Sequence, residues 1–570
     1  ESSVAVGHQA LNAQNFSSET SAYNVAVGAN AGVSVTTGLQ NTLIGGLTGD
    51  ALTDADFNVA MGYAALGADT LGSRSVAIGH GALSVQNFSS ATNSHNTAVG
   101  FSAGENVTTG TQNTLIGGQS GDALTSGGDN TALGYAAFGA GVASFYNTAI
   151  GTFALNSDTT GRHNVAVGRR ALNSQNLTNS SNVYNVAVGS DSGKSMTTGI
   201  QNTLIGGLAG DALTDADYNT AIGYQTLSAD TQGSRSTAVG FQALANQNFT
   251  SATDAYNTAM GHGAGGAVTT GIANTFIGGL SGDANTIGGE NVALGYGALG
   301  SNVSGDRSTA IGYLALAAQN NGTSTFDADN TAVGFNAMVS LTTGTRNVAI
   351  GSGALDAADD DSRNVAIGYG ALSAMDTGTS TPYNVAVGYQ AGTSVSTGVN
   401  NTLIGALAAD NLTTGNHNVA IGKSALDAET AGHQSIAIGL QALANQNNSS
   451  STNAFNVAIG SQAGLSVTTG LRNTIMGGIA GDSITDANNN VALGYNALGA
   501  DTQGNNTVAV GQGTLQAQNF TSSTDTYNVA VGHQSGNQVT TGQNNTLIGG
   551  LAGDALTDAD GNVAIGYLAL

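Results

Sequence analysis

Apolar and polar residues alternate in one short phrase, Asn-Val/Thr-Ala-Ile/Val-Gly, that recurs along the whole chain. Copies begin at Ser3, Asn24, Asn41, Asn58 and Ser75, and continue to the last at Asn562, 32 in all. The common step is 17 residues, and most longer steps are 21. Alternation closed by Gly predicts a short β-strand that ends in a turn. The fourth position is aliphatic or Met in every copy, so Ile44, Ile78, Ile205 and Ile350 are expected to point into a core. The second position shares that face and is Val or Ile in 17 copies and Thr in 15. Gly holds the fifth position in all 32 copies, which predicts a stacked corner at Gly45, Gly79, Gly206 and Gly351 with φ > 0 or a tight backbone approach. The x-x-Ala-Leu or x-x-Ala-Gly that follows predicts a second short strand and a second turn.

The long steps are themselves ordered. Four coil types recur as a set of 72 residues: one with Val-Thr-Thr-Gly (Val35 to Gly38), one with Asn-Thr-Leu-Ile-Gly-Gly (Asn41 to Gly46), one with Gly-Tyr-x-Ala-Leu (Gly62 to Leu66), and one with an insertion (Gln86 to Ser89). No linker or charge block interrupts them, so residues 1–570 read as one continuous repeat domain. A 17-residue unit is too small to bury a core alone, whereas stacked units share a continuous one. The expectation is an all-β parallel β-solenoid, or β-roll, of about 32 coils. Asn opens 26 of the 32 phrases, which predicts a ladder of side-chain amides along the stack.

The third position is mostly Ala, with Leu or Phe at Leu43, Leu115, Leu204, Phe276, Leu403 and Leu547. It lies on the face opposite the fourth. Two apolar faces on one strand predict burial on both sides. Ala26, Leu43, Ala60 and Ala77 are therefore expected to pack against a second chain, intertwined or side by side, as a homo-oligomer.

Composition narrows the function. Charged residues make up 8% of the chain, with 11 basic against 36 acidic side chains and a net charge of −25. Such a chain has no electrostatic reason to bind nucleic acid or an anionic membrane. There is one Pro and no Cys, which removes collagen, disulfides and thiolate chemistry. No run of residues is apolar enough to span a membrane as a helix. Both ends fall inside the repeat, so a section of a longer protein is expected, without its anchoring and tip domains.

The phrases Asn-Val-Ala-Ile-Gly at 347–351 and 364–368, and Ser-Val-Ala-Ile-Gly at 75–79, resemble the head repeats of YadA-like trimeric autotransporter adhesins. Asn219 to Leu227 and Asn330 to Met338 are similar to repeats of phage tail fibres and large bacterial surface proteins. The resemblance covers the whole chain. It implies a parallel β-roll assembled as a trimer or higher homo-oligomer, located on a cell surface or virion and acting in attachment. It brings no catalytic residues.

Sites read from the residues are few. Gly45 to Asp50 lacks the Gly-Lys-Ser/Thr ending of a phosphate loop. His8, His80, His262 and His533 follow the phrase Gly, where Tyr or Phe also stands, and read as corner residues. No catalytic, cofactor-binding or metal site is expected, and no cofactor. The Asp clusters Asp50, Asp54, Asp56, repeated as Asp211, Asp215, Asp217 and as Asp554, Asp558, Asp560, offer oxygen ligands of the kind calcium takes. The competing reading is Asp satisfying turn backbone groups. The corner aromatics Tyr63, Tyr135, Tyr224, Tyr296, Tyr313, Tyr369, Tyr389, Tyr495 and Tyr567 are expected to plug a groove between protomers, with an exposed row that stacks on sugars as the alternative. Asn15, Asn87, Asn176, Asn248, Asn321, Asn448 and Asn519 carry the N-glycosylation pattern and read as polar surface loops.

The function expected is a non-enzymatic extracellular structural fibre that attaches to cells or surfaces, with a target cell surface or glycan as partner. A phage tail fibre, a filament or hook-like appendage of a marine bacterium and an ice-binding solenoid are the alternatives. The last suffers because Thr is followed two places on by an aliphatic residue rather than a second Thr.

Overall fold

The structure is a computed structural model that describes residues 2–179, 181–320, 322, 325–378 and 381–570. It is an all-β parallel solenoid with no helix among the described residues. Contacts group the chain into two compact units, Glu1–Ile287 and Gly288–Leu570. Each unit carries sixteen three-residue strands, one per coil, at the second to fourth positions of the phrase. Neighbouring strands within a unit pair in parallel and in register, so that Val25, Ala26 and Val27 face Thr42, Leu43 and Ile44.

The segment after the corner Gly is a turn, not the second strand the sequence suggests. Its alternate residues adopt left-handed backbone, such as Ala64 (φ 55°) and Leu66 (φ 54°). A third left-handed residue precedes each phrase, as at Tyr23 (φ 52°) and Phe57 (φ 61°). Left-handed backbone costs a non-Gly residue roughly 1–2 kcal/mol. Full burial of the Leu66 and Leu83 side chains and inter-coil bonds such as Leu66 N–H to the Ala82 carbonyl (2.9 Å) offset it. Among the described residues the only further strands are two-residue pairs beside insertions, such as Gly72–Ser73 with Thr92–Asn93.

The core is built from the third position, which reverses the expected polarity of the strand. Ala26, Leu43, Ala60 and Ala77 are fully buried within their own chain. The fourth position points outward: Ile44 and Ile78 are half-buried, and Ile205 and Ile350 are 37% and 39% exposed. The reason lies across the coil. The strand is backed by the Leu of the turn, so the space behind it holds Ala plus Leu. Where the third residue is Leu, Gly replaces the turn Leu in the preceding coil and, except at Leu403, whose own coil has Ala409, in its own coil as well. A Cβ on Gly32 or Gly49 would stand 2.7 or 3.0 Å from the Leu43 methyls. The same exchange surrounds Leu115, Leu204, Phe276, Ile475 and Leu547. It accounts for the four-coil set as volume conservation in a narrow core.

The Asn ladder is present. Asn41 Nδ2 donates to the Ala55 carbonyl (2.8 Å), and Asn41 Oδ1 accepts the Asn58 N–H (3.0 Å). The phrases that open with Ser or Thr sit in insertion coils, where a Gln supplies the missing amide. Gln86 Nε2 donates to Ser75 Oγ (2.9 Å) and to the buried carboxylate of Asp69 (2.6 Å), and Gln86 Oε1 accepts from Asn96 (2.8 Å). The arrangement recurs at Asp230–Gln247–Ser236, Glu429–Gln446–Ser435 and Asp501–Gln518–Thr507. These insertions are anchored this way while their tips are wet: Gln86 and Phe88 are buried, whereas Asn15, Asn87, Asn176, Asn248 and Asn519 are exposed; the long coil that opens at Asn364 has Met375 in the place of the Gln. Asn448 is instead buried and bonded to Glu429 (3.0 Å), with Asn447 in the exposed place. Asn321 lies outside the described residues.

Candidate interaction face

Side chains that alternate outward along each strand define one broad face in each unit. Its two inner rows are the second and fourth positions, Val or Thr beside Val, Ile, Leu or Met, and no copy places a charge in either row. Its two outer rows are the residue before the phrase and the residue after the corner Gly. Both outer rows hold exposed rings. After the Gly, Tyr63, His80 and Phe101 stack with centroids 5.5 and 5.3 Å apart, and Tyr224, Phe241 and His262 do so at 5.8 and 5.1 Å. Before the phrase, Tyr146, His163 and Tyr184 stack at 4.9 Å, and the Arg235 guanidinium lies 4.9 Å from the Tyr218 ring centroid. The corner aromatics are thus exposed within their own chain, with Tyr63 at 55%. Within each stack the inner ring, such as His80 or Phe241, is covered on both faces, whereas the end rings keep one face without a ring neighbour.

The acidic clusters do not converge. Asp56 accepts the Leu39 N–H (2.7 Å), Asp217 the Ile200 N–H (2.8 Å) and Asp560 the Gln543 N–H (2.7 Å), each from the preceding coil. Asp54 accepts from the Thr37 hydroxyl, and Asp211 pairs with Lys194 (3.3 Å). Among the described residues no group of three His, Asp or Glu side chains is placed to hold a metal ion.

Burial raises the pKa of many of these acids. Asp50, Asp122, Asp211, Asp283 and Asp482, all five residues past a corner Gly, are pushed up mainly by desolvation, as are the deeper Asp69 and Asp158. Asp410 is pushed up to about 7 by burial and by Asp427 in the next coil. A carboxyl whose folded pKa lies above its unfolded one adds stability at low pH, and that contribution disappears as pH rises through the folded value. The thermal midpoint is therefore expected to be higher near pH 5 than near pH 8, and a scan across that range checks it.

The signal that sequence reading missed is the covariation of Ser or Thr at the phrase start with a Gln eleven residues later, as in Ser75 with Gln86 and Ser236 with Gln247. It marks where the amide ladder changes donor.

Comparison with known protein families finds no matching family model, and comparison with curated proteins finds no similar sequence. The class of the molecule therefore rests on its fold, a parallel β-solenoid repeat protein.

Proposed function

We propose that this chain forms an extracellular structural fibre that attaches to cells or surfaces, works without catalysis, and assembles from more than one copy through the outward face. The observation that carries the reading is an uncharged double row, aliphatic or Met throughout at the fourth position and Val, Ile or Thr at the second, in a chain of net charge −25. Solvated faces of acidic proteins carry their charge, and an extended, charge-free, largely apolar face marks an interface. In each unit the sixteen strands, spaced ~4.8 Å and presenting a strip roughly 10 Å wide, offer about 770 Å². That matches the ~800 Å² per partner of a stable protein interface. The partner is a second copy, whose equivalent strip is equally free of charge and so brings no buried unpaired ion.

The strand's third position no longer serves this role, since it is consumed by the chain's own core. Sedimentation tests the assembly. The unmodified chain is expected to run as an oligomer at micromolar concentration, and a variant carrying Ile205→Asp, Ile222→Asp and Val239→Asp as a smaller, still β-rich species. A folded monomer of the unmodified chain overturns the assembly. Failure of labelled chain to adhere to any cell or polysaccharide surface overturns attachment.

A further inference from the structure

We infer that the break in the aromatic ladder at Ser352 is a binding slot for a single pyranose ring of a glycan. Along this edge Tyr296, Tyr313 and Phe335 stack with centroids 5.6 and 5.4 Å apart, and Tyr369 and Tyr389 stack at 5.6 Å. Ser352 stands in the coil between Phe335 and Tyr369 and contributes no ring. Phe335 and Tyr369 are 54% and 56% exposed, and both line a cavity of about 280 Å³ that continues to Gln390 and Thr393. Two coil spacings are ~9.6 Å, so one inserted ring would sit ~4.8 Å from each neighbour, close to the spacing the ladder already keeps. The volume is at the lower end for a ligand pocket, which suits one small ring.

The cavity is opened by two missing side chains. Gly353 and Gly370 occupy the left-handed turn position, at φ +62° and +60°, where other coils carry residues such as Gln225 and Gln390. A Cβ would meet nothing closer than 3.5 Å at either position, from Asp356 Oδ2 and Gln390 Cγ respectively. Neither packing nor backbone geometry requires Gly there, and the consequence of its presence is space.

The floor of that space is polar and unsatisfied. Asn336 and Asp356 line it, and each carries an oxygen, Oδ1, that is shielded from solvent and has no hydrogen-bond partner. A ligand that brings donors to these two side chains would satisfy acceptors that the protein leaves unpaired. A pyranose fits both demands, with C–H faces for the flanking rings and hydroxyl donors for the two oxygens. An anion does not fit, because Asp356 faces it and no Lys or Arg lines the cavity. A tyrosine side chain from another protein would fill the ring space but bring a single donor. Burial holds the Asp356 carboxyl above its ordinary pKa. The slot deepens the attachment reading above by giving it a ligand class.

The test is saturation-transfer NMR of the full chain with the methyl glycosides of glucose, galactose, mannose and N-acetylglucosamine, each at about 10 mM to reveal weak affinity. At least one glycoside is expected to give transfer. Gly353→Gln with Gly370→Gln should abolish it, with the melting temperature retained because Gln already occupies this turn elsewhere. Asp356→Ala should weaken it at least tenfold. No transfer from any of the four glycosides, transfer that survives in the filled variant, or binding of p-cresol instead of glycosides would each overturn the slot. Adhesion assays run in parallel separate the two readings. Glycosides that fail while the chain still adheres sink only the slot, whereas a chain that adheres nowhere sinks attachment whatever the NMR shows.

Discussion

Gly206→Val is expected to unfold the coils on both sides of residue 206 at a cost of more than about 4 kcal/mol, the range reserved for drastic backbone or core damage. The corner glycines have φ between +128° and +147°, and Gly206 sits at +136°. A β-branched residue does not adopt that conformation. Space forbids it as well. A Cβ on Gly206 would lie 2.2 Å from the carbonyl oxygen of Gly223, the equivalent corner of the next coil. That neighbour is backbone held in the inter-coil ladder, where Gly223 N–H donates to the Ile205 carbonyl (2.7 Å), so it cannot move aside without breaking the stack. In a solenoid each coil contacts only its neighbours, so damage is local. Hydrogen exchange should show lost protection in the coils from 186 to 239 and retained protection around 97 to 133. Gly46→Ala is the control, because a Cβ there would meet the Tyr63 ring at 3.6 Å in ordinary contact. Equal damage from both substitutions would mean that the corner geometry is not what requires Gly.

Asn41→Leu is expected to cost about 2–6 kcal/mol, from two buried backbone groups left without partners at ~1–3 kcal/mol each. The Asn41 side chain is fully buried, and its removal orphans the Ala55 carbonyl and the Asn58 N–H together. Leu is nearly the same size, so the loss reports hydrogen bonding rather than a cavity. Asn41→Asp gives a sharper reading. The carboxylate keeps the acceptor for Asn58 but has no donor for Ala55, and a protonated carboxyl has both. Burial favours the protonated form, so this variant should approach the unmodified chain in stability as the pH is lowered and fall behind as it is raised. Denaturant midpoints at about pH 5 and about pH 8 check the sign. An Asn41→Asp variant whose deficit does not change with pH would count against the ladder as the source of stability.

Much of this architecture follows from periodicity. The step between copies of the phrase marks the coil length, the alternation places the strand, the unvarying Gly marks the corner, and the run of Asn marks the ladder. These features repeat at every coil, so each is legible without knowing what lies across it. The second strand expected after the corner is absent because Leu66 and its equivalents take left-handed backbone, a state that a Leu in a sequence does not advertise. The pyranose slot is equally silent. Gly353 and Gly370 look like any other turn glycines until the packing shows that nothing there requires them to be Gly.

The orientation of the strand was decided only in three dimensions. Alternation separates two faces, but both are apolar here, and size suggests that Ile44 rather than Ala26 belongs inside. The structure places Ala26 and Leu43 in the core and leaves Ile44 half-buried at the surface. What settles it is the opposite wall of the coil. The Leu of the turn already fills most of the narrow interior, so the strand can contribute only Ala, or Leu where Gly32 and Gly49 vacate the room. Core volume is a sum over two walls, and the strand sequence states only one of them.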